Sequence, residues 1–152
     1  METEADVRDQ AIRLLARREH AARELRFKLT QRGVAEALAD AVIAELAREG
    51  LQSDARYAES WVRHRVEQGY GPVRIRAELR ERGVADELAG PALADAERTI
   101  DWGEQAYRAW ARRFSVPPED MKERARQQRY LERRGFAAGH IRQAMSTAQQ
   151  PD

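Results

Sequence analysis

One pattern, Leu-x-x-Arg-Gly-(Val/Phe), occurs three times in this chain. It reads Leu29, Arg32, Gly33, Val34, then Leu79, Arg82, Gly83, Val84, then Leu131, Arg134, Gly135, Phe136. The copies begin at 29, 79 and 131, so a chain of 152 residues divides into three units of similar length. A period of this size marks a repeat architecture, in which each unit stacks on its neighbour and the array presents an extended surface. Extended surfaces suit macromolecular partners better than small substrates.

The apolar content fits an array better than a sphere. Leu, Ile, Val and Phe together make 27 of 152 residues. So low a fraction with a high net charge would signal disorder. Here the net charge is only +1 and the apolar residues recur at helical spacing, so the chain reads as folded around a thin, Ala-rich core. Cysteine is absent, which removes disulfide and thiolate chemistry. The start, METEADVRDQ, is polar and acidic, and no stretch resembles a signal peptide or a membrane span; a soluble, cytoplasmic protein is expected. Of the 27 basic residues only Lys28 and Lys122 are lysine. Arginine offers a planar fork of donors for carboxylates and phosphates, although GC-rich codons alone would also favour it.

Gly and Pro are scarce within the periodic stretches, so nearly the whole chain is predicted helical. Helices are expected over 4–18, 22–32 and 35–49; then 54–68, 72–82 and 85–98; then 101–114, 118–134 and 137–147. Gly33, Gly83 and Gly135 are expected to end their helices in the left-handed conformation, with the following apolar residue sealing the turn. Ser53 or Asp54 caps the fourth helix. Gly71 and Pro72 suit the N-cap and first position of the fifth. Ser115-Val116-Pro117-Pro118 is the clearest interruption, and Glu119 and Asp120 suit the positive start of the helix after it. The fold class is therefore all-α: an elongated tandem array of three three-helix repeats over 1–50, 51–98 and 99–148, with a frayed tail at 149–152. The third unit departs from the pattern, since Gln127 stands where Leu25 and Ile75 stand; its packing should be looser or different.

No catalytic constellation emerges, and an enzyme is not expected. His20, His64 and His140 lie in different units; His20 with Glu24 gives only two ligands, so His20 reads as a surface or capping residue and no metal is implied. No serine has a nucleophile-elbow context, and Gly69-x-Gly71 lacks the rest of a phosphate loop. No cofactor is implied. The charge distribution is more informative. Residues 8–32 hold eight basic and three acidic residues, and 108–134 nine basic against four acidic. The acids gather on the third helices of the first two units. Two helices around a Gly turn invite a helix-turn-helix reading, but the would-be recognition helices at 35–47 and 85–97 carry acids and no basic residue, which phosphates would repel. Only the last helix, with His140 and Arg142, escapes that objection. The basic clusters are either solvated faces or one side of a bipolar surface that docks an acidic partner. Trp61, Trp102 and Trp110 lie on apolar stripes and read as core. Tyr70, in its Gly-Tyr-Gly-Pro turn, is either an exposed interface anchor or packed over the turn.

The run 51–84 resembles the central repeat of the RecX family, bacterial regulators of the RecA recombinase. The resemblance rests on Asp54, Tyr57, Ala58, the Arg63/Arg65 pair, Gly69-Tyr70-Gly71, Ile75, Glu78-Leu79 and Gly83. The first unit matches through Arg18, His20, Glu24-Leu25, Leu29 and Gly33, and the last through Tyr130-Leu131, Arg133-Arg134-Gly135-Phe136 and Ile141. Ala21 departs, the family often having Ser there, which removes a helix cap worth about 1 kcal/mol. The resemblance implies a non-enzymatic regulator that binds the RecA filament on single-stranded DNA. It would inhibit filament growth, ATP hydrolysis, strand exchange and coprotease activity, and so modulate recombination, DNA repair and the SOS response. RecA is the implied partner, with weak non-specific single- or double-stranded DNA contact beside it, and the chain would act as a monomer. Whether such a regulator caps filament ends or lies along the groove stays open. A DNA-binding helical protein acting without RecA, and a general helical adaptor, are the alternatives. From charge clustering, the expected partner-binding residues are Arg63, Arg65, Tyr70, Arg74, Arg76, Arg80, Arg133 and Arg134.

Overall fold

The computed structural model describes residues 2–150, which form nine helices and no strand. They are α1 (Glu4–Arg17), α2 (Ala22–Gln31), α3 (Glu36–Arg48), α4 (Asp54–Glu67), α5 (Pro72–Glu81), α6 (Asp86–Ala96), α7 (Trp102–Arg113), α8 (Met121–Arg134) and α9 (Ala138–Gln149). Each falls on a helix expected from sequence. The largest shift is at α8, which starts three residues after the expected 118. Asp120 is its N-cap rather than a first-turn residue, accepting from the Glu123 N–H at 2.7 Å. At the other end α9 continues to Gln149, and residues 151 and 152 of the expected tail lie outside the described residues.

The repeated pattern is a helix-ending turn. Gly33, Gly83 and Gly135 have φ of 92°, 81° and 99°, the left-handed region that only glycine enters without strain. After each glycine the chain folds back: the N–H of Val34, Val84 and Phe136 donates to the carbonyl of Leu29, Leu79 and Leu131 at 3.1, 3.0 and 3.2 Å. This is the Schellman arrangement, in which the residue after the glycine packs on the one five before it. All six of those side chains are buried.

The described residues divide into two compact units: residues up to Ser60 together with Leu79–Ala89, and Trp61–Glu78 together with Gly90 onward. In the first, α1, α2 and α3 pack on one another around Val7, Ala11, Leu25, Leu29, Val42 and Leu46. Beside that core lies a polar knot. His20 is buried, not a surface or helix-capping residue. Its Nδ1 donates to the Arg18 carbonyl at 3.0 Å and its Nε2 accepts from the Lys28 ammonium at 3.0 Å. Gln52, also buried, donates from Nε2 to the His20 carbonyl and to Asp54 Oδ1. The same Asp54 oxygen accepts from the Ala22 N–H at 2.8 Å. The start of α2, whose own Ala21 has no capping side chain, is thus capped from α4. Ser53 takes the cap of α4, its Oγ accepting from the Arg56 N–H at 3.2 Å.

In the second unit α7, α8 and α9 pack together over Trp102, Trp110, Leu131, Phe136, Ile141 and Met145, all buried. Gln127 takes the core position held by Leu25 and Ile75 elsewhere, and it is buried and satisfied. Its Oε1 accepts from the Trp110 indole at 2.7 Å, and its Nε2 donates to the Val116 carbonyl at 3.1 Å. The third repeat is therefore packed differently, around a polar pair.

Two outcomes follow from the knot in the first unit. Burial pushes the His20 pKa below its ordinary 6.5, outweighing the opposing bond to the Arg18 carbonyl. The unfolded chain then binds a proton near pH 6.5 that the folded chain refuses, so stability is present above that pH and is lost as pH falls below it. Urea unfolding between pH 7.5 and 5.0 should show a decline no steeper than the one-proton limit of about 1.4 kcal/mol per pH unit, and the decline should flatten in His20→Gln. Asp54→Ala should lower unfolding free energy by about 2 kcal/mol, because it leaves the Ala22 N–H and the buried Gln52 amide without their shared acceptor. A loss below about 0.5 kcal/mol in the same urea titration would contradict the cross-helix cap.

Candidate partner-binding site

Another turn of the same kind closes α4, and it organises the candidate site within the second unit. Gly69 has φ 86°, and the Tyr70 N–H donates to the Arg65 carbonyl at 3.1 Å. The geometry that elsewhere stacks two apolar side chains here stacks Tyr70 on Arg65, with the guanidinium carbon 3.8 Å from the ring centroid. Two more guanidiniums reach the same ring, Arg134 at 3.9 Å and Arg74 at 4.3 Å. A guanidinium over an aromatic face contributes about 0.5–2 kcal/mol according to its desolvation.

Backbone bonds fix this geometry. The Gly71 N–H donates to the Arg134 carbonyl at 2.8 Å and the Val73 N–H to the Gly135 carbonyl at 2.9 Å. These bonds satisfy terminal groups of α5 and α8 that their own helices leave open. The approach is close enough that a Cβ on Gly71 would come within 2.5 Å of the Gly135 carbonyl oxygen, and one on Gly135 would strike the Arg74 side chain. Gly69-Tyr70-Gly71 is in this sense a docking element: one glycine turns the chain, the tyrosine seats the arginines, the other glycine admits α8.

Glu78 supplies the counter-charge. Its carboxylate accepts from Arg65 Nε at 2.9 Å and Nη2 at 2.6 Å, from Arg74 Nε at 3.2 Å and from the Trp61 indole at 3.1 Å. Burial pulls its pKa up, but these donors outweigh burial and hold it below the ordinary 4.5. Burial likewise opposes the charge on Arg65, and the bidentate bond to Glu78 overcomes it, so the Arg65 pKa is raised. Arg65 Nη1 also donates to Gln68 Oε1 at 2.7 Å, and Arg134 Nη2 to the Gln68 carbonyl at 2.5 Å.

Of the eight residues singled out by charge, the structure brings Arg65, Tyr70, Arg74 and Arg134 into one cluster. Arg133 adjoins it, its carbonyl accepting from Arg74 Nη1 at 3.1 Å while its side chain is exposed. Arg63 and Arg76 are elsewhere: each is two residues from a clustered arginine on its helix, about 200° around the axis. Among the described residues the side chains of Arg63, Arg76 and Arg133 make no hydrogen bond or ion pair. Arg80 belongs to the first unit and pairs with Asp86 at 3.3 Å. Charge counting passed over Glu78, Trp61 and Gln68, which hold the cluster together. The Arg74/Glu78 spacing of four was the available signal. Among the described residues, no group of three or more His, Asp or Glu side chains could hold a metal ion, and no helix is long and apolar enough to cross a membrane.

The architecture is that of a protein built from three-helix domains in tandem, and three such domains match in order. Residues 8–46, 53–93 and 101–145 match the first, second and third three-helix domains of RecX. The regulatory protein RecX of Halorhodospira halophila is 50% identical over 147 residues, 96% of this chain and 90% of that one. Those of Pseudomonas savastanoi pv. phaseolicola and Chromohalobacter salexigens are 46% and 48% identical, covering 96% and 95% of this chain and 94% of each relative. The crystal structure of RecX from Lactobacillus salivarius has the same fold, with a TM-score of 0.79 at 22% identity over 95% of this chain and 96% of that one. The chain belongs to the RecX family, and its role is regulatory.

Glu78→Ala should destabilise the protein by about 2–3 kcal/mol, since it removes the acceptor shared by two partly desolvated guanidiniums and an indole N–H. Glu78→Gln keeps an acceptor for Trp61 and should cost less. Urea unfolding followed by tryptophan fluorescence would check the order; equal stability of all three proteins would contradict the cluster's structural role.

Proposed function

We propose that this chain binds the RecA filament on single-stranded DNA and inhibits its growth, ATPase, strand exchange and coprotease activity. It thereby modulates recombination, DNA repair and the SOS response. The observation that carries the reading is the ordered match of all three RecX domains, together with relatives about half identical over nearly the whole chain. The protein acts in the cytoplasm, as a monomer, without cofactor or catalysis. Its domains divide at 1–50, 51–98 and 99–148. Repeated weak contacts along a polymer supply avidity without a deep pocket.

The arrangement of the arginines refines which of them meet the partner. Arg65, Arg74 and Arg134 have donors committed to Tyr70, Glu78 and backbone carbonyls, and Arg80 to Asp86. Arg63, Arg76 and Arg133 are the uncommitted cations of the set, and in our reading they make the first contacts with the filament. The cluster then serves as the rigid frame beside Arg133.

RecA ATPase on single-stranded DNA, titrated with wild type and with Arg63→Glu, Arg76→Glu and Arg133→Glu singly and together, tests both parts. Inhibition by wild type at low ratios to RecA is expected. The triple variant should need about tenfold more protein for half-inhibition, the scale of losing a few charged contacts. Unchanged inhibition by a folded triple variant would remove these residues from the interface. Absence of wild-type inhibition would remove the filament reading.

A further inference from the structure

Beyond the residues just assigned, the Tyr70 cluster holds more positive charge than its own carboxylate balances. A fourth guanidinium, Arg112 of α7, reaches it. Arg134 Nη2 and Arg112 Nη1 lie 2.9 and 3.2 Å from the point where a Cβ on Gly69 would sit. Their terminal nitrogens are therefore at most about 6 Å apart, beside a residue with no side chain to separate them. Glu78 pairs with Arg65 and Arg74. Arg112 and Arg134 form no ion pair with any described residue, although Glu67 and Glu132 stand on neighbouring stretches of helix. Arg134 Nε is buried with no acceptor at all.

Two converging, unneutralised guanidiniums repel each other unless an anion is shared between them. We infer that the Arg112–Arg134 side of the cluster is a phosphate seat that takes the backbone of a single-stranded nucleic acid without reading its bases. A phosphate is favoured over a carboxylate because its tetrahedral oxygens diverge toward Arg112, Arg134 and the half-exposed Arg74 together, whereas the two oxygens of a carboxylate lie in one plane. Base readout is not available here. The tyrosine ring that would stack a base carries three guanidiniums within 4.3 Å of its centroid. What remains is an electrostatic contact, steeply dependent on salt and indifferent to sequence. The inference rests on the filament reading only for which strand is presented; the phosphate seat is tested without RecA.

Arg112 is exposed and makes no hydrogen bond among the described residues, so its substitution leaves the fold in place, which circular dichroism checks. The probes are fluorescein-labelled oligo-dT, the same oligomer with an uncharged methylphosphonate backbone, and inorganic phosphate at matched ionic strength. Wild type should bind oligo-dT and not the uncharged oligomer. Arg112→Glu should weaken oligo-dT binding about tenfold, and Arg112→Ala should lower the slope of log affinity against log salt by about 1. Equal oligo-dT affinity and salt slope in all three proteins would overturn the seat. Inorganic phosphate binding lost in Arg112→Glu, with oligo-dT affinity unchanged, would overturn the nucleic-acid assignment in favour of a free anion. RecA inhibition lost in Arg112→Glu with oligo-dT affinity unchanged would likewise overturn it, in favour of a carboxylate on the protein partner. Failure of the filament reading is separate, since it shows as wild type that leaves RecA ATPase untouched.

Discussion

The structure depends on one backbone hydrogen bond, from the residue after a left-handed glycine to the carbonyl five residues earlier. It recurs at Gly33, Gly50, Gly69, Gly83 and Gly135. Each time it ends a helix, satisfies a carbonyl the helix leaves open and throws the next side chain back over the last turn. At Val34, Val84 and Phe136 that side chain is apolar and buried on a leucine, so the turn becomes part of the core. At Tyr70 the partner five residues back is Arg65, and the same turn produces a cation on a ring instead. Of its five occurrences, this one conformational device gives core at three, a charged cluster at Gly69 and an exposed leucine, Leu51, at Gly50. The chemistry of two side chains decides which.

That distinction explains what could be read in advance. Helix positions were legible to within about three residues because glycine, proline and the apolar period act locally. The left-handed turns at Gly33, Gly83 and Gly135 were legible for the same reason. What escaped depends on partners distant in sequence. His20 looked like a surface or capping residue because nothing adjacent suggests burial; its cover includes Gln52, 32 residues on. Asp54 looked like a cap for its own helix, yet its oxygen serves Ala22 on another. Gln127 marked the third repeat as looser or differently packed, and only its bond to the Trp110 indole shows which. At the candidate site the arginines were visible as charge, but their grouping was not. Residues 63 and 65, or 74 and 76, are neighbours in a count and lie on opposite sides of a helix.

Arginine excess was open to a codon explanation, and the geometry shows that the excess is also used. Arg8 meets Glu49 through both terminal nitrogens at 2.6 Å, Arg18 grips Glu24 at 2.6 and 3.1 Å, and Arg65 takes Glu78 through Nε and Nη2. A lysine offers no planar fork for such pairs. The more exposed pairs, such as Arg8–Glu49, contribute at most about 1 kcal/mol each, so their value is largely geometric: they fix which helix faces which. The acids of α3 are spent in this way, Glu36 and Asp40 on Arg26 and Glu45 on Arg8. Basic clusters counted from sequence therefore overstate the surface available to a partner, because much of the charge is already answered within the fold.

The Tyr70 cluster is where that answer falls short. An ordinary solution to three crowded guanidiniums would be three carboxylates, which would leave a neutral, inert surface. This chain provides one carboxylate and one aromatic ring. The ring attracts each cation through its quadrupole without cancelling any charge. The arginines are thus held in place by packing, by Glu78 and by backbone carbonyls, while most of their charge remains to be matched from outside. Rigid position with residual charge is the condition under which an anion binds with little ordering cost. The glycines at 69, 71 and 135 serve that condition as directly as the arginines do, since a side chain at any of them would strain the turn or push α8 away from the ring.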